Sequence, residues 1–156
     1  MKNTDINFDV HGIIVSVRSC VIINNGDKIL LHKKIYDDFY ALVGGRVKAN
    51  ESTIEAVKRE FHEELNINVD VVKQLYCIEN FFKYDDKRHH ELMFVYLLKT
   101  SDIIPSESFI IDENLFCWFD KSKFMNIKIK PNIFENLEDF FSLKTEQKHI
   151  INIEDE

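Results

Sequence analysis

The segment Ser52 to Leu65, "STIEAVKREFHEEL", contains no glycine or proline and is rich in helix formers. Ile54, Val57, Phe61 and Leu65 recur at helical spacing, which predicts an α-helix with one apolar stripe. Ser52 or Thr53 can cap its start, and Glu51 and Glu55 suit the positive end of the helix dipole. Asn66 follows the last periodic residue, where a left-handed capping residue is expected. A helix with one apolar stripe needs a surface to cover, and its flanks read as strands. "GIIVSVRSCVII" (Gly12–Ile23) is apolar and β-branched, "NNGD" is turn chemistry, and "KILLHKK" (Lys28–Lys34) is the return strand of a hairpin. "YALVGGRV" (Tyr40–Val47) predicts a short strand interrupted by Gly44 and Gly45. Asn68–Tyr84 and His90–Thr100, around the polar "DDKRH", predict a long antiparallel hairpin, and Asn114–Lys121 a further strand. Pro131–Leu143 resembles a closing helix with proline in its first turn. The expected class is α+β.

No repeat, low-complexity segment or Pro/Gly/Ser linker divides the chain, so residues 1–156 read as one domain, with a core over about 8–143 and a loose end over 144–156. With 45% hydrophobic and 30% charged residues, the composition is that of a globular domain. The polar start, "MKNTDINFDVHG", lacks the apolar core of a signal peptide, and no apolar run has the length of a membrane span. Cys20, Cys77 and Cys117 are scattered in apolar stretches, as reduced thiols of a cytoplasmic protein would be. The net charge of −7 argues against binding polymeric nucleic acid. A small phosphorylated ligand is compatible with it, since a divalent metal can bridge protein carboxylates to phosphate.

On the predicted helix, each residue advances about 100°. Glu60, Glu63 and Glu64 therefore share an arc beside the stripe of Val57 and Phe61. Like charges at these spacings repel by a few tenths of a kcal/mol on an exposed helix, and by more at the edge of a buried face. Arg59 and Lys58 offer partial compensation, whereas hard oxygen ligands of this kind suit Mg²⁺ or Mn²⁺.

This stretch resembles the Nudix box of the Nudix hydrolase family, G-x5-E-x7-R-E-U-x-E-E-x-G-U, where U is a bulky apolar residue. Gly45, Glu51, Arg59, Glu60, Phe61, Glu63, Glu64 and Ile67 match at the required spacing. Asn66 stands where the family has glycine, and Val43 where it commonly has the proline of L-P-G-G. Asn tolerates the left-handed conformation that glycine would supply. The resemblance implies an α/β/α sandwich with a mixed β-sheet and the box as loop, helix and loop. It implies hydrolysis of a phosphoanhydride by water with Mg²⁺, Mn²⁺ being a possible substitute. The substrate would be a nucleoside diphosphate linked to another moiety, such as ADP-ribose, a dinucleotide or a nucleotide sugar, or else a nucleoside triphosphate. By the same resemblance Glu60, Glu63 and Glu64 are the metal-binding glutamates, and Arg59 orients a box glutamate. Glu51 supports either the metal shell or the helix start, and the Gly45 carbonyl is either a ligand or part of a plain turn. The general base is a box glutamate, Glu91 or Glu113. A homodimer is also favoured.

Among substrate contacts, Arg18 lies within an apolar strand, where a lone charge must reach an anion, a carboxylate or solvent. Phe39, Phe81, Phe82 and Tyr84 can stack a base or pack the core. His89 and His90 should point to opposite faces of a strand, and Trp118 reads as core. The competing reading is a catalytically idle nucleotide-binding or regulatory module on the same fold. Such relatives typically lack one or more of the glutamates, all of which are present here.

Overall fold

A computed structural model describes residues 4–132 and 146–154. Strand β2 (Ile13–Ile22) is its axis, because both edges of this strand are in use. One edge pairs in parallel with β7 (Lys87–Lys99), from Ile13 opposite Arg88 to Ile22 opposite Leu97. The other edge is divided between two antiparallel partners. Strand β1 (Asn7–Val10) takes Ile13 to Ser16, and β5 (Ala41–Arg46) takes Arg18 to Val21. At the handover, Val17 donates its amide to the Ile6 carbonyl and accepts from the Val47 amide. Upstream of β1 the chain lies along the segment that leads into the helix: the Ala49 amide donates to the Thr4 carbonyl, and Asp5 bridges Lys48.

The strand order is β10 (Lys148–Ile153), β6 (Asp70–Tyr84), β7, β2, β5, β4 (Lys28–Lys34), β9 (Asn114–Asp120), β8 (Phe109–Ile111). Strand β1 lies on β2, and the short β3 (Asn24–Asn25) on β4. The β10–β6 and β2–β7 pairs are parallel and the rest antiparallel, so the sheet is mixed. Helix α1 (Thr53–Leu65) covers one face, packing Val57 and Phe61 against Val21, Leu30, Val43, Tyr96 and Phe116. The other face carries Cys20, Ile22, Leu31, Leu42, Ile78, Met93 and Val95, capped by Phe124 from a 3-10 turn (Lys121–Asn126) and by Ile129. Alternate residues of β2 serve the two cores, which is why its sequence is continuously apolar. This mixed sheet with a helix bears out the α+β expectation and is consistent with the α/β/α sandwich. The expected closing helix lies outside the described residues, apart from Pro131 and Asn132.

The helix starts as its sequence requires. The Ser52 hydroxyl accepts from the Glu55 amide, and Glu55 accepts from the Ser52 amide, a reciprocal cap. It ends on Asn66 in the left-handed region, φ 53° and ψ 37°. One stripe position differs: Ile54 is 42% exposed, and Ala56 takes the inward place.

Other boundaries move too. Strand β5 runs unbroken through Gly44 and Gly45, because these glycines serve close packing rather than a turn. A Cβ on Gly44 would collide with the Ser19 carbonyl of β2. The hairpin around "NNGD" is confined to its tip, where Ile23 to Asn25 meet β4; further along, β5 separates β2 from β4. The β6–β7 turn contracts to Asp85 and Asp86, both at positive φ (51° and 59°), so Lys87 to His90 become strand. Strands β1 and β8 carry no periodic signal long enough to predict them. Residues 148–153, expected to be loose, form β10 in register with Tyr76 to Phe81 of β6.

Candidate active site

Arg59 organises the loop–helix segment. Its Nε donates to Glu51 Oε1 at 2.6 Å and its Nη2 to Glu51 Oε2 at 3.1 Å, a two-pronged pair. Its Nη1 donates to Glu60 Oε1 at 2.7 Å and Glu63 Oε2 at 3.1 Å, and Nη2 also reaches the Arg46 carbonyl at 3.0 Å. These acceptors raise the Arg59 pKa above its ordinary value, the Glu51 bond contributing most. The same bond holds Glu51 below the usual carboxylate range despite partial burial. Glu51 also accepts from the Lys48 amide at 2.9 Å, so it locks the loop to the helix.

Glu60 lies against Gly45. A Cβ there would enter the carboxylate, 2.6 Å from both its oxygens. Glu64 is half-buried; burial first and then the Glu60 charge push its pKa up to about 7, against the pull of Arg18 and Lys34. Glu60 and Glu64 thus bring two carboxylates together at the edge of a buried face, one of them held by Arg59, and such hard-oxygen groups fit a hard dication. Among the described residues no group of three or more His, Cys, Asp or Glu side chains is arranged to hold a metal. Arg59 accounts for that, since it draws Glu51 and the exposed Glu63 to itself.

A cavity of about 370 Å³ is lined by Arg18, Lys34, Arg46, Phe39, Phe82 and Glu91 among others; none of the box glutamates lines it, and Arg18 and Lys34 reach Glu64 through their field. Sheet register orders its floor. Arg18 lies opposite Arg46 and Met93; one step along, Ser16, Glu91 and Asn80 form a row; one step further, His89 and Phe82 pair. Successive same-face residues are about 7 Å apart along a strand. The cavity therefore runs from a cationic end through a polar row to an aromatic end. Phe82 and His89 stack at 4.8 Å and 11°, while His90 stacks on Phe81, so the two histidines do face opposite ways. Phe39 meets Tyr84 edge-on at 6.2 Å, with the Lys130 ammonium over its ring at 5.2 Å.

Arg18 Nε is buried and has no hydrogen-bond partner. Burial opposes its charge, but the field of its neighbours holds its pKa above the ordinary value. Cys20 is neutral at neutral pH, its thiol pushed up to about 11 by burial, so Glu91 and Glu60 are the anions that keep Arg18 charged. Glu113 stays away from this cavity, in the tight β8–β9 turn at φ 64°. Trp118 packs partly buried beside the helix-side core and donates to the Pro105 carbonyl at 2.8 Å. The three cysteines are free.

The sequence does not single out Ser16, His32, Asn80, Lys34 or Arg46, although all line the cavity. The signal available was polarity inside apolar runs: Ser16 in "IIVSV", His32 in "KILLHKK", Asn80 in "IENFF". Such residues need a partner or a ligand.

The capped carboxylate helix is thus clamped by one arginine, near a cavity with a cationic end. The NUDIX domain model matches residues 14–140, and the chain belongs to that family. No curated protein matches it in sequence. Among solved structures, a NUDIX hydrolase from Nitrosomonas europaea superposes with a TM-score of 0.61 at 18% identity, over 89% of this chain and 79% of that one. The MutT protein from Bacillus halodurans gives 0.59 at 18%, over 86% and 89%. An ADP-ribose pyrophosphatase from Streptococcus suis gives 0.56 at 16%, over 88% and 98%. At these identities the likeness establishes the fold.

Proposed function

We propose that the chain hydrolyses, with Mg²⁺, a phosphoanhydride bond in a nucleoside diphosphate linked to another moiety, or in a nucleoside triphosphate. The observation that carries this reading is the Glu60 carboxylate seated on Gly45 and bonded by Arg59, with Glu64 within its field one helical turn on. Glu60 and Glu64 would hold the metal, with Glu63 and the Gly45 carbonyl as further ligands; Mn²⁺ suits the same donors. When bound, the dication neutralises charge on the phosphoryl oxygens and acidifies water. Arg18, Lys34 and Arg46 attract and orient the diphosphate from the cavity side. Arg59 and Glu51 hold Glu60 in place, and a box glutamate takes the proton of the attacking water. Phe39 and Phe82 contact the remainder of the substrate.

The three free cysteines support a cytoplasmic location. No helix among the described residues is long and apolar enough to cross a membrane. A homodimer belongs to the same reading and is checked by sedimentation.

Glu64→Gln should lower turnover at least about a hundredfold on a panel of nucleotides while the fold persists. Melting supplies a second readout. Excess Mg²⁺ over EDTA should raise the melting temperature of the parent, since ligand that binds only the folded state stabilises it, and leave the variant unmoved. Equal hydrolysis by parent and variant would refute the assignment.

A further inference from the structure

We propose that Glu91 is a specificity-determining residue of the cavity, accepting hydrogen bonds from a nucleobase edge that carries adjacent N–H donors, and that Asn80 and Asn152 position it. This rests on the nucleotide reading above and assigns Glu91 a role other than general base.

The first observation is a row. Asn152 of β10, Asn80 of β6, Glu91 of β7 and Ser16 of β2 are consecutive register partners across four adjacent strands, hence on one face. Ser16, Asn80 and Glu91 are 3%, 4% and 7% exposed, and with Ser19 they are the buried polar residues among those described. All three line the cavity. Burying polar groups is unfavourable unless they are bonded. Asn80 is bonded within the protein, so Glu91 and Ser16 are the members of the row that a ligand in the cavity would complete.

The second observation is unused acceptor capacity. Asn152 Nδ2 donates to Asn80 Oδ1 at 2.8 Å, which fixes the Asn80 amide and turns its NH₂ toward β7. That NH₂ reaches Glu91 Oε1 at a long 3.4 Å and Met93 Sδ at 3.8 Å. A carboxylate offers about four acceptor positions. Glu91 has this one weak bond and, among the described residues, no ion pair; Arg18 acts on it only through its field. A carboxylate that is 93% buried, anchored on one side and open to a cavity on the other, is an acceptor awaiting donors.

Position then separates recognition from catalysis. Glu91 lies between the cationic row of Arg18 and the aromatic row of Phe82 and His89. With phosphates at the cationic end, a base resting on the aromatic row presents its polar edge to Glu91. A carboxylate cannot donate, so it discriminates by donor count. A ring N–H next to an exocyclic amino group, as in guanine, satisfies both oxygens. Adenine and cytosine offer the amino group beside a ring acceptor, while uracil flanks its single N–H with two carbonyls. The predicted order is guanine, then adenine and cytosine, then uracil.

The test is calorimetric binding of GDP, ADP, CDP and UDP to the full chain, with kcat and KM measured on the corresponding hydrolysable nucleotides. The parent should bind GDP at least about tenfold more tightly than UDP, the scale of a hydrogen bond to a charged group. Glu91→Gln, nearly isosteric, should compress that ratio below about threefold, through the loss of one acceptor. Asn152→Ala should compress it partially, with kcat less affected than KM. A flat ranking in the parent overturns the proposal without any variant. So does an unchanged ratio in Glu91→Gln, or a uniform fall in kcat with the ratio preserved, which would make Glu91 the base. Selective binding without hydrolysis would sink the catalytic reading and spare this one. Hydrolysis without selectivity would do the reverse.

Discussion

Gly45 illustrates how a single absent atom can belong to a site. Its missing Cβ leaves the volume that the Glu60 carboxylate occupies, whereas the Cβ missing from Gly44 leaves room for the backbone of β2. The two glycines should therefore fail differently. Gly45→Ala should displace Glu60 and lower activity at least about a hundredfold, with little change in melting temperature. Gly44→Ala should lower stability by about 1–3 kcal/mol, because it overpacks a strand pair that cannot move aside. Melting and steady-state kinetics on both variants test the contrast. His32 carries a separate expectation. Burial first, and then Arg18 and Lys34, depress its pKa from 6.5 to about 3, so the folded state keeps it neutral. Between those values the unfolded chain binds the extra proton. Stability is thus complete above about pH 6.5 and falls by up to about 1.4 kcal/mol per pH unit as the pH drops toward 3. His32→Gln should flatten that slope in denaturant titrations run across the window.

The helix was the most legible element, because capping, composition and a 3.6-residue period all agree over Ser52 to Leu65. Even there the stripe misplaced Ile54, which is exposed in the first turn while Ala56 is buried. The box glutamates and Arg59 were legible as a set, though their division of labour was not: only coordinates reveal that Arg59 gathers Glu51, Glu60 and Glu63 and leaves Glu64 out. Strand β10 was missed because an edge strand of six residues, partly exposed, has no strong alternation. Asn80 and Ser16 were missed because one polar residue in an apolar run carries no spacing signal. At the end of the helix the departure from the family pattern becomes a measurable quantity. Asn66 already adopts the left-handed conformation, so Asn66→Gly should change stability by less than about 0.5 kcal/mol, whereas Asn66→Val should lose about 1–2 kcal/mol. Thermal melts with Mg²⁺ and with EDTA check both.

At the scale of the whole molecule, the sheet rather than the helix assembles the cavity. Residues from β2, β4, β5, β6 and β7 converge on it, and β10 buttresses it from the edge through Asn152. The Glu154 carboxylate also pairs with Lys130 at 3.3 Å, and its amide donates to the Phe81 carbonyl. A chain ended at residue 145 should expose the β6 edge and loosen the cavity floor. The expected result is a melting temperature lower by about 2–4 °C for each kcal/mol lost, with increased light scattering on warming.

The pairing of Thr4 to Ile6 with Val47 to Ala49 has a practical corollary. Anything fused ahead of residue 4 would hang within a few residues of the Lys48–Glu51 bond that anchors the box, so a purification handle placed there would sit beside that anchor. Kinetic constants are best compared after such a handle has been cleaved.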